Sequence, residues 1–168
     1  FCIRSKMIAD GKRQILSIHI PGDLPNLQNL HFPAIDYDLV ALSDCTLAFI
    51  AYKALNDLIR ARPSVGAMFW RDTLVDAAIS REWIVNVGRR DARSGMCHLL
   101  CEFARRLEGA GMAEPGGGYE LPMTQEQLAD ALGITPVHVN RVLRDLDRDG
   151  LIVRDKRFLR LPNWEALR

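Results

Sequence analysis

The most constraining stretch of this sequence is residues 124–146, where helix-start, tight-turn and second-helix signals follow one another with almost no spare residues. Thr124-Gln125-Glu126-Gln127 has the form of a capping box, in which the Thr hydroxyl and a Gln three residues later satisfy the free amides of a helix start. Leu128, Ala129 and Leu132 give that helix one apolar face, and Gly133 stands where the chain must turn with positive φ. Thr135 can cap a second helix with Pro136 at its first position, where the missing N–H costs nothing. Val139, Val142, Leu143 and Leu146 form its inner face. Two helices joined so briefly must cross steeply, which calls for a small residue in the first, Gly in the turn and a branched apolar residue in the second. Ala129, Gly133 and Val139 supply these in order, so the spacing predicts a helix-turn-helix.

The outer face of the second helix carries Pro136, Val137, Asn140, Arg141 and Arg144. Side chains at the N-terminal end of such a helix face base edges when it enters the major groove of DNA. Arg141 is placed for a bidentate contact to guanine, Val137 for a thymine methyl, and Asn140 for a base or a phosphate. Arg144, Thr124 and Gln125 are expected at the phosphate backbone. Arg148 is expected instead to pair with Asp145, Asp147 or Asp149 on a solvated face. After Gly150, the apolar runs Leu151-Ile152-Val153 and Phe158-Leu159-Arg160-Leu161 flank Arg154-Asp155-Lys156-Arg157, which predicts a wing with a basic tip touching phosphate. The full expected contact set is Thr124, Gln125, Thr135, Pro136, Val137, Asn140, Arg141, Arg144 and Lys156.

Upstream the pattern differs. Residues 2–52 alternate short apolar runs with turn residues, among them Ile15-Leu16-Ser17-Ile18-His19-Ile20, Pro21-Gly22-Asp23, 39–42 and 46–50, which predicts antiparallel β structure. Asp10-Gly11, between Met7-Ile8-Ala9 and Gln14-Ile15-Leu16, predicts a hairpin. The period then becomes helical: 53–61, a long helix from Pro63 to about Val87, and 91–107. In the long helix Trp70, Leu74, Ala77, Arg81, Ile84 and Gly88 recur at alternating intervals of four and three, the seam of a coiled coil. That seam can meet a second copy or pack on the β domain. In 91–107, Met96, Leu99, Leu100 and Phe103 share a face, with Arg93, Arg105 and Arg106 outside it. The Gly-rich stretch 109–118 ends this helix and lacks the Lys-Ser/Thr of a phosphate loop.

The chain carries 22 Lys and Arg against 21 Asp and Glu, but the charges are segregated. Between Asp23 and Asp57 five aspartates face one Lys53, whereas 141–160 holds seven basic residues. The four cysteines include no CxxC pair; Cys97 and Cys101, one helical turn apart, could hold a metal or sense oxidants, although two small core residues are the simpler reading. The four His lie in unrelated segments and nothing pairs a nucleophile with a base, so no enzyme is expected. With no secretory signal or membrane-spanning run, a reducing cytoplasm is expected. The chain opens on Phe1 within a β pattern, so a preceding segment is expected.

Leu128-Ala129-x-x-Leu132-Gly133 followed by Val139-x-Arg141-x-Leu143, the Pro21-Gly22-Asp23 turn, the long seam helix and Asp149-Gly150-Leu151-Ile152 together resemble the family of the cyclic-AMP receptor protein and the fumarate and nitrate reduction regulator. The resemblance implies an α+β fold with a cyclic-nucleotide-binding-like β-roll over 1–62, truncated at its N-terminus, a dimerisation helix over 63–88 and a winged helix-turn-helix over 89–168. It implies a homodimer on a palindromic double-stranded DNA operator, controlled allosterically through the β-roll, with RNA polymerase as a partner and no membrane. Trp70, Leu74, Ala77, Arg81 and Ile84 would form the dimer interface. Two departures stand out. Relatives often carry Glu where this chain has Val137, and the Gly-Glu and Arg-Ser/Thr pairs that hold a cyclic nucleotide are absent, with no Arg from Leu24 to Leu42. Cyclic-nucleotide binding is therefore not expected, no other cofactor is evident, and the cysteine cluster of iron–sulfur relatives is not visible. An interaction module that keeps this fold without DNA affinity is the alternative reading.

Overall fold

A computed structural model describes residues 1–32, 34–113 and 118–167. The core of the expected Gly-rich loop, 114–117, lies outside the described residues.

The N-terminal region is built on β1 (Cys2–Met7), β2 (Arg13–His19) and β3 (Asp38–Ala41), an antiparallel sheet in the order β2-β1-β3. Asp10-Gly11 does turn the chain, with Gly11 at φ +81°. The strands close earlier than the apolar pattern implies, because Cys2 pairs with His19 and Met7 with Arg13, which leaves Ile8 and Ala9 in the turn. Ile3, Ile15 and Ile18 are buried beneath this sheet. The expected run at 46–50 forms no strand: no described strand pairs with it, and Phe49 is 93% exposed.

Three helices follow, α1 (Tyr52–Ala61), α2 (Pro63–Gly88) and α3 (Ala92–Gly109). Pro63 begins α2 and Asp91 caps α3 by accepting the Ser94 amide at 2.9 Å. α3 is the structural axis, since Met96, Leu99, Leu100, Phe103 and Leu107 are all buried along it. α2 is different: Trp83 and Asn86 alone are buried among its residues, and the Trp83 indole donates to Glu102 at 2.6 Å.

The C-terminal region adds β4 (Gly118–Glu120), α4 (Gln125–Leu132), α5 (Pro136–Arg148), β5 (Val153–Asp155), β6 (Phe158–Arg160) and α6 (Trp164–Leu167). The wing hairpin is present but its first strand starts at Val153, two residues later than the apolar run. β4 pairs with β6 to complete a sheet in the order β4-β6-β5. Gly118 lies under the Phe158 ring, where any side chain would collide. Tyr119 on β4 is buried and donates its hydroxyl to Leu100 O at 2.8 Å, joining this sheet to α3.

One continuous apolar cluster runs from Ile3, Ile15 and Ile18 through α3 to Leu128, Val139, Leu146 and Ile152. That continuity corrects one expectation. Arg106, placed outside the apolar face of its helix, is half-buried because the β-sheet region packs on that flank of α3. Its guanidinium reaches Asp23 Oδ2 at 2.5 Å and Ile18 O at 2.7 Å.

Candidate nucleic-acid interface

The local geometry of α4 and α5 follows from their caps. Thr124 Oγ1 accepts the Gln127 amide at 3.2 Å while Gln127 Oε1 accepts the Thr124 amide at 2.8 Å, so both free donors are satisfied. Gly133 adopts φ +68° and the Ile134 amide returns to Ala129 O at 3.2 Å, ending α4 in a single left-handed residue. Thr135 Oγ1 accepts the His138 amide at 3.2 Å, and Pro136 opens α5. Ala129 and Val139 are both buried, which lets the two helices cross closely.

Burying Val139, Val142, Leu143 and Leu146 turns the opposite face of α5 outward. Pro136, Val137, Arg141 and Arg144 are exposed there, Val137 at 81%, and Asn140 is partly exposed between them. Arg141 and Arg144 have no carboxylate partner among the described residues. Arg148, one turn on, has two: its guanidinium lies 3.0 Å from Asp145 Oδ1 and 3.2 Å from Asp149 Oδ1, as expected for a solvated pair. The Arg93 and Arg148 guanidiniums hold the Asp149 carboxyl below its usual range. The Thr124 and Thr135 hydroxyls each accept one capping amide, which leaves their O–H hydrogens available to donate. Gln125 begins α4, and Lys156 stands in the wing turn at φ +54° with its side chain exposed. The expected residues therefore fall on three elements: the start of α4, the outer face of α5 and the wing tip.

Trp70, Leu74, Ala77, Arg81 and Ile84 all lie exposed on α2, with Trp70 at 66% and Ile84 at 71%. The seam does not pack on the β region of its own chain.

A group of polar residues that no local pattern signalled lies between the β region and the helices. A cleft of about 530 Å³ opens there between the Pro21-Gly22-Asp23 turn, α2 and the end of α3. Both of its arginines are engaged: Arg4 by Asp76 Oδ2 at 2.8 Å and by Pro25 O, and Arg106 by Asp23 and Glu102. His19 bridges Ser17 Oγ at 2.9 Å and Asp23 Oδ2 at 3.5 Å. Burial works against charge on Asp23, but the His19 hydrogen bond, the Arg106 guanidinium and the Ile20 amide together hold its carboxyl below the usual range. Burial pushes Glu102 upward despite the Trp83 and Arg106 contacts. Tyr37 reaches back to the residues after the Pro21-Gly22-Asp23 turn, its hydroxyl donating to Asn26 Oδ1 at 3.0 Å and accepting from Asn29 Nδ2 at 2.9 Å.

The cysteines on α3 behave as core residues. Burial raises Cys97 and, with Cys97 beside it, pushes Cys101 to about 11, so both thiols stay protonated at neutral pH. Among the described residues no cluster of three or more His, Cys, Asp or Glu side chains could hold a metal, and no helix is long and apolar enough to cross a membrane.

Known proteins share this arrangement. Residues 96–168 match the Crp-like helix-turn-helix domain. The chain is 31% identical over 169 residues to the transcriptional activator protein FnrL of Cereibacter sphaeroides, covering 97% of this chain and 66% of that protein. It is 28% identical to the nitrogen fixation regulation protein FixK of Rhizobium meliloti, covering 97% of this chain and 71% of that one. The solved structure of FixK2 from Bradyrhizobium japonicum superposes with a TM-score of 0.86 at 26% identity, over 99% of this chain and 81% of its own. The chain thus spans about two thirds of the length of FnrL. These matches run along 97–99% of this chain, and the chain belongs to the family of the cyclic-AMP receptor protein and the fumarate and nitrate reduction regulator, a family of transcriptional regulators.

Proposed function

We propose that this chain acts as a homodimeric, sequence-specific DNA-binding regulator that lays α5 in the major groove of each half of a palindromic operator. The observation that carries the reading is the outer face of α5, where Arg141 stands exposed, with no carboxylate partner among the described residues, beside Val137 and Asn140. A guanidinium free to fork onto guanine O6 and N7 contributes about 1–3 kcal/mol of discrimination. Thr124, Gln125, Thr135 and Arg144 meet the backbone around that contact, Pro136 lies against the groove wall, and Lys156 on the wing reaches phosphate.

The second element is α2. A soluble monomer gains nothing from exposing Trp70, Leu74 and Ile84 in one stripe, and a second copy of the same helix covers them in a parallel pair. Residues 63–88 then form the dimer helix, 1–62 the sensor and 89–168 the reading domain. The two α5 helices must stand about 34 Å apart to enter successive major grooves, so a signal that shifts the α2 pair alters binding without touching the reading face. The regulator works in the cytoplasm, with RNA polymerase as partner, and performs no catalysis.

The test is fluorescence anisotropy against a selected palindrome and a random duplex across salt. Arg141→Ala should weaken operator binding about 5- to 150-fold and leave random-duplex affinity and the dimer unchanged. Retained discrimination would remove Arg141 from the reading role.

A further inference from the structure

The reading domain is tied to the β-sheet region of its own chain by side chains that the DNA-facing argument does not use. Arg13 opens β2 beside the hairpin turn and reaches α4, where its Nε lies 2.8 Å and its Nη2 2.7 Å from Asp130 Oδ2. The next residue, Gln14, donates its side-chain amide to Ala131 O at 3.3 Å. Ala131 is in the last turn of α4, so its carbonyl is one of those that the helix itself leaves without a donor. The cationic Arg13 also sits at the negative end of that helix. The Arg13 and Asp130 side chains are only 31% and 27% exposed, which removes part of the water that weakens a surface pair.

α4 is not an arbitrary place to grip. It packs on α5, with Ala129 and Val139 both buried, so any rotation of α4 moves the reading helix with it. The same hairpin strand also holds α3, through Arg106 on the Ile18 carbonyl, and the turn that follows it adds Asp23 to the same guanidinium. β2 therefore grips the two helices on which α5 rests.

We propose that Arg13 and Asp130 are positioning residues for DNA reading: with the Gln14 cap they form a latch that sets the angle of α5 against its own β domain. A change in the β-sheet region then reaches α5 through β2 and α4 in the same protomer, in parallel with the route along α2. This rests on α5 being the reading helix.

The experiment has one arm that needs DNA and one that does not. Hydrogen exchange on the DNA-free protein is measured for parent, Arg13→Gln, Asp130→Asn and the charge swap Arg13→Asp with Asp130→Arg, after far-UV circular dichroism has confirmed the fold. The α4 amides should exchange about three- to fivefold faster in each single variant and slow again in the swap. Unchanged α4 exchange in both single variants overturns the latch whatever the DNA data say. The second arm compares affinity for the selected palindrome with that for the same half-sites moved apart or together by one base pair. Arg13→Gln should flatten the spacing preference, Arg13→Lys should keep most of it, and affinity for random duplex should not move. A spacing preference equal to the parent's would overturn the positioning role. A parent with no preference for any palindrome would instead refute the reading of α5, leaving the exchange arm to decide the latch.

Discussion

Gly133 concentrates the local and tertiary demands of the helix-turn-helix in one residue, and replacing it separates them. At φ +68° an L residue brings its Cβ against the following carbonyl, which costs about 1–2 kcal/mol. A Cβ there would also meet Val87 Cγ1 at 3.4 Å, an ordinary van der Waals contact that adds little strain. Gly133→Ala should therefore lose about 1–2 kcal/mol. For a chain of this length that lowers the melting temperature by about 2–8 °C. Gly133→Asn should recover part of the loss, because Asn tolerates the left-handed region although its side chain is larger. Thermal unfolding at one fixed protein concentration reads all three proteins, and Val87→Ala in the Gly133→Ala background serves as a control. An Ala variant as stable as the parent would refute the conformational argument. An Asn variant worse than Ala, with Val87→Ala rescuing either, would show that crowding against α2 is what matters there.

Two further outcomes can be checked. Removing a single methyl from the operator, by replacing thymine with deoxyuridine at the position facing Val137, should weaken binding to the parent and leave Val137→Ala unaffected; equal effects on both proteins would rule out the thymine contact. The two carboxylates on Arg106 should carry opposite pH signatures in urea unfolding. Asp23 is depressed in the folded state, so its stabilisation is complete above the unfolded value of about 3.9 and is lost as pH falls through the lower folded value. Asp23→Asn should flatten that acid limb. Glu102 is raised by burial, so its contribution is complete below about 4.3 and is lost as pH rises. Glu102→Gln should accordingly gain on the parent as pH rises above about 4.3, and a constant difference between the two would contradict the assignment.

Residues 124–148 show what can be read along a chain. Capping, left-handed turning and apolar periodicity depend on neighbours three or four residues away, and Thr124, Gly133, Thr135 and Val139 carry those signals in their own chemistry. For the same reason α1, α2 and α3 begin and end within a residue or two of the expected positions. Strands are less legible. β4 has three residues, one of them Gly, and exists because β6 offers it an edge; residues 46–50 have the strand composition but no described partner. Composition places a segment on a pleated surface only when something lies beside it.

The sequence by itself determined α5, its capped turn and the face it turns outward, because each rests on contacts within a few residues. Only the tertiary structure decided that Arg106 is an internal tie and not a solvated charge, that Arg13 meets Asp130 across 117 positions, and that the α2 seam is left uncovered by its own chain. A long side chain carries no mark of its distant partner, and its environment is settled only when the core brings the two together.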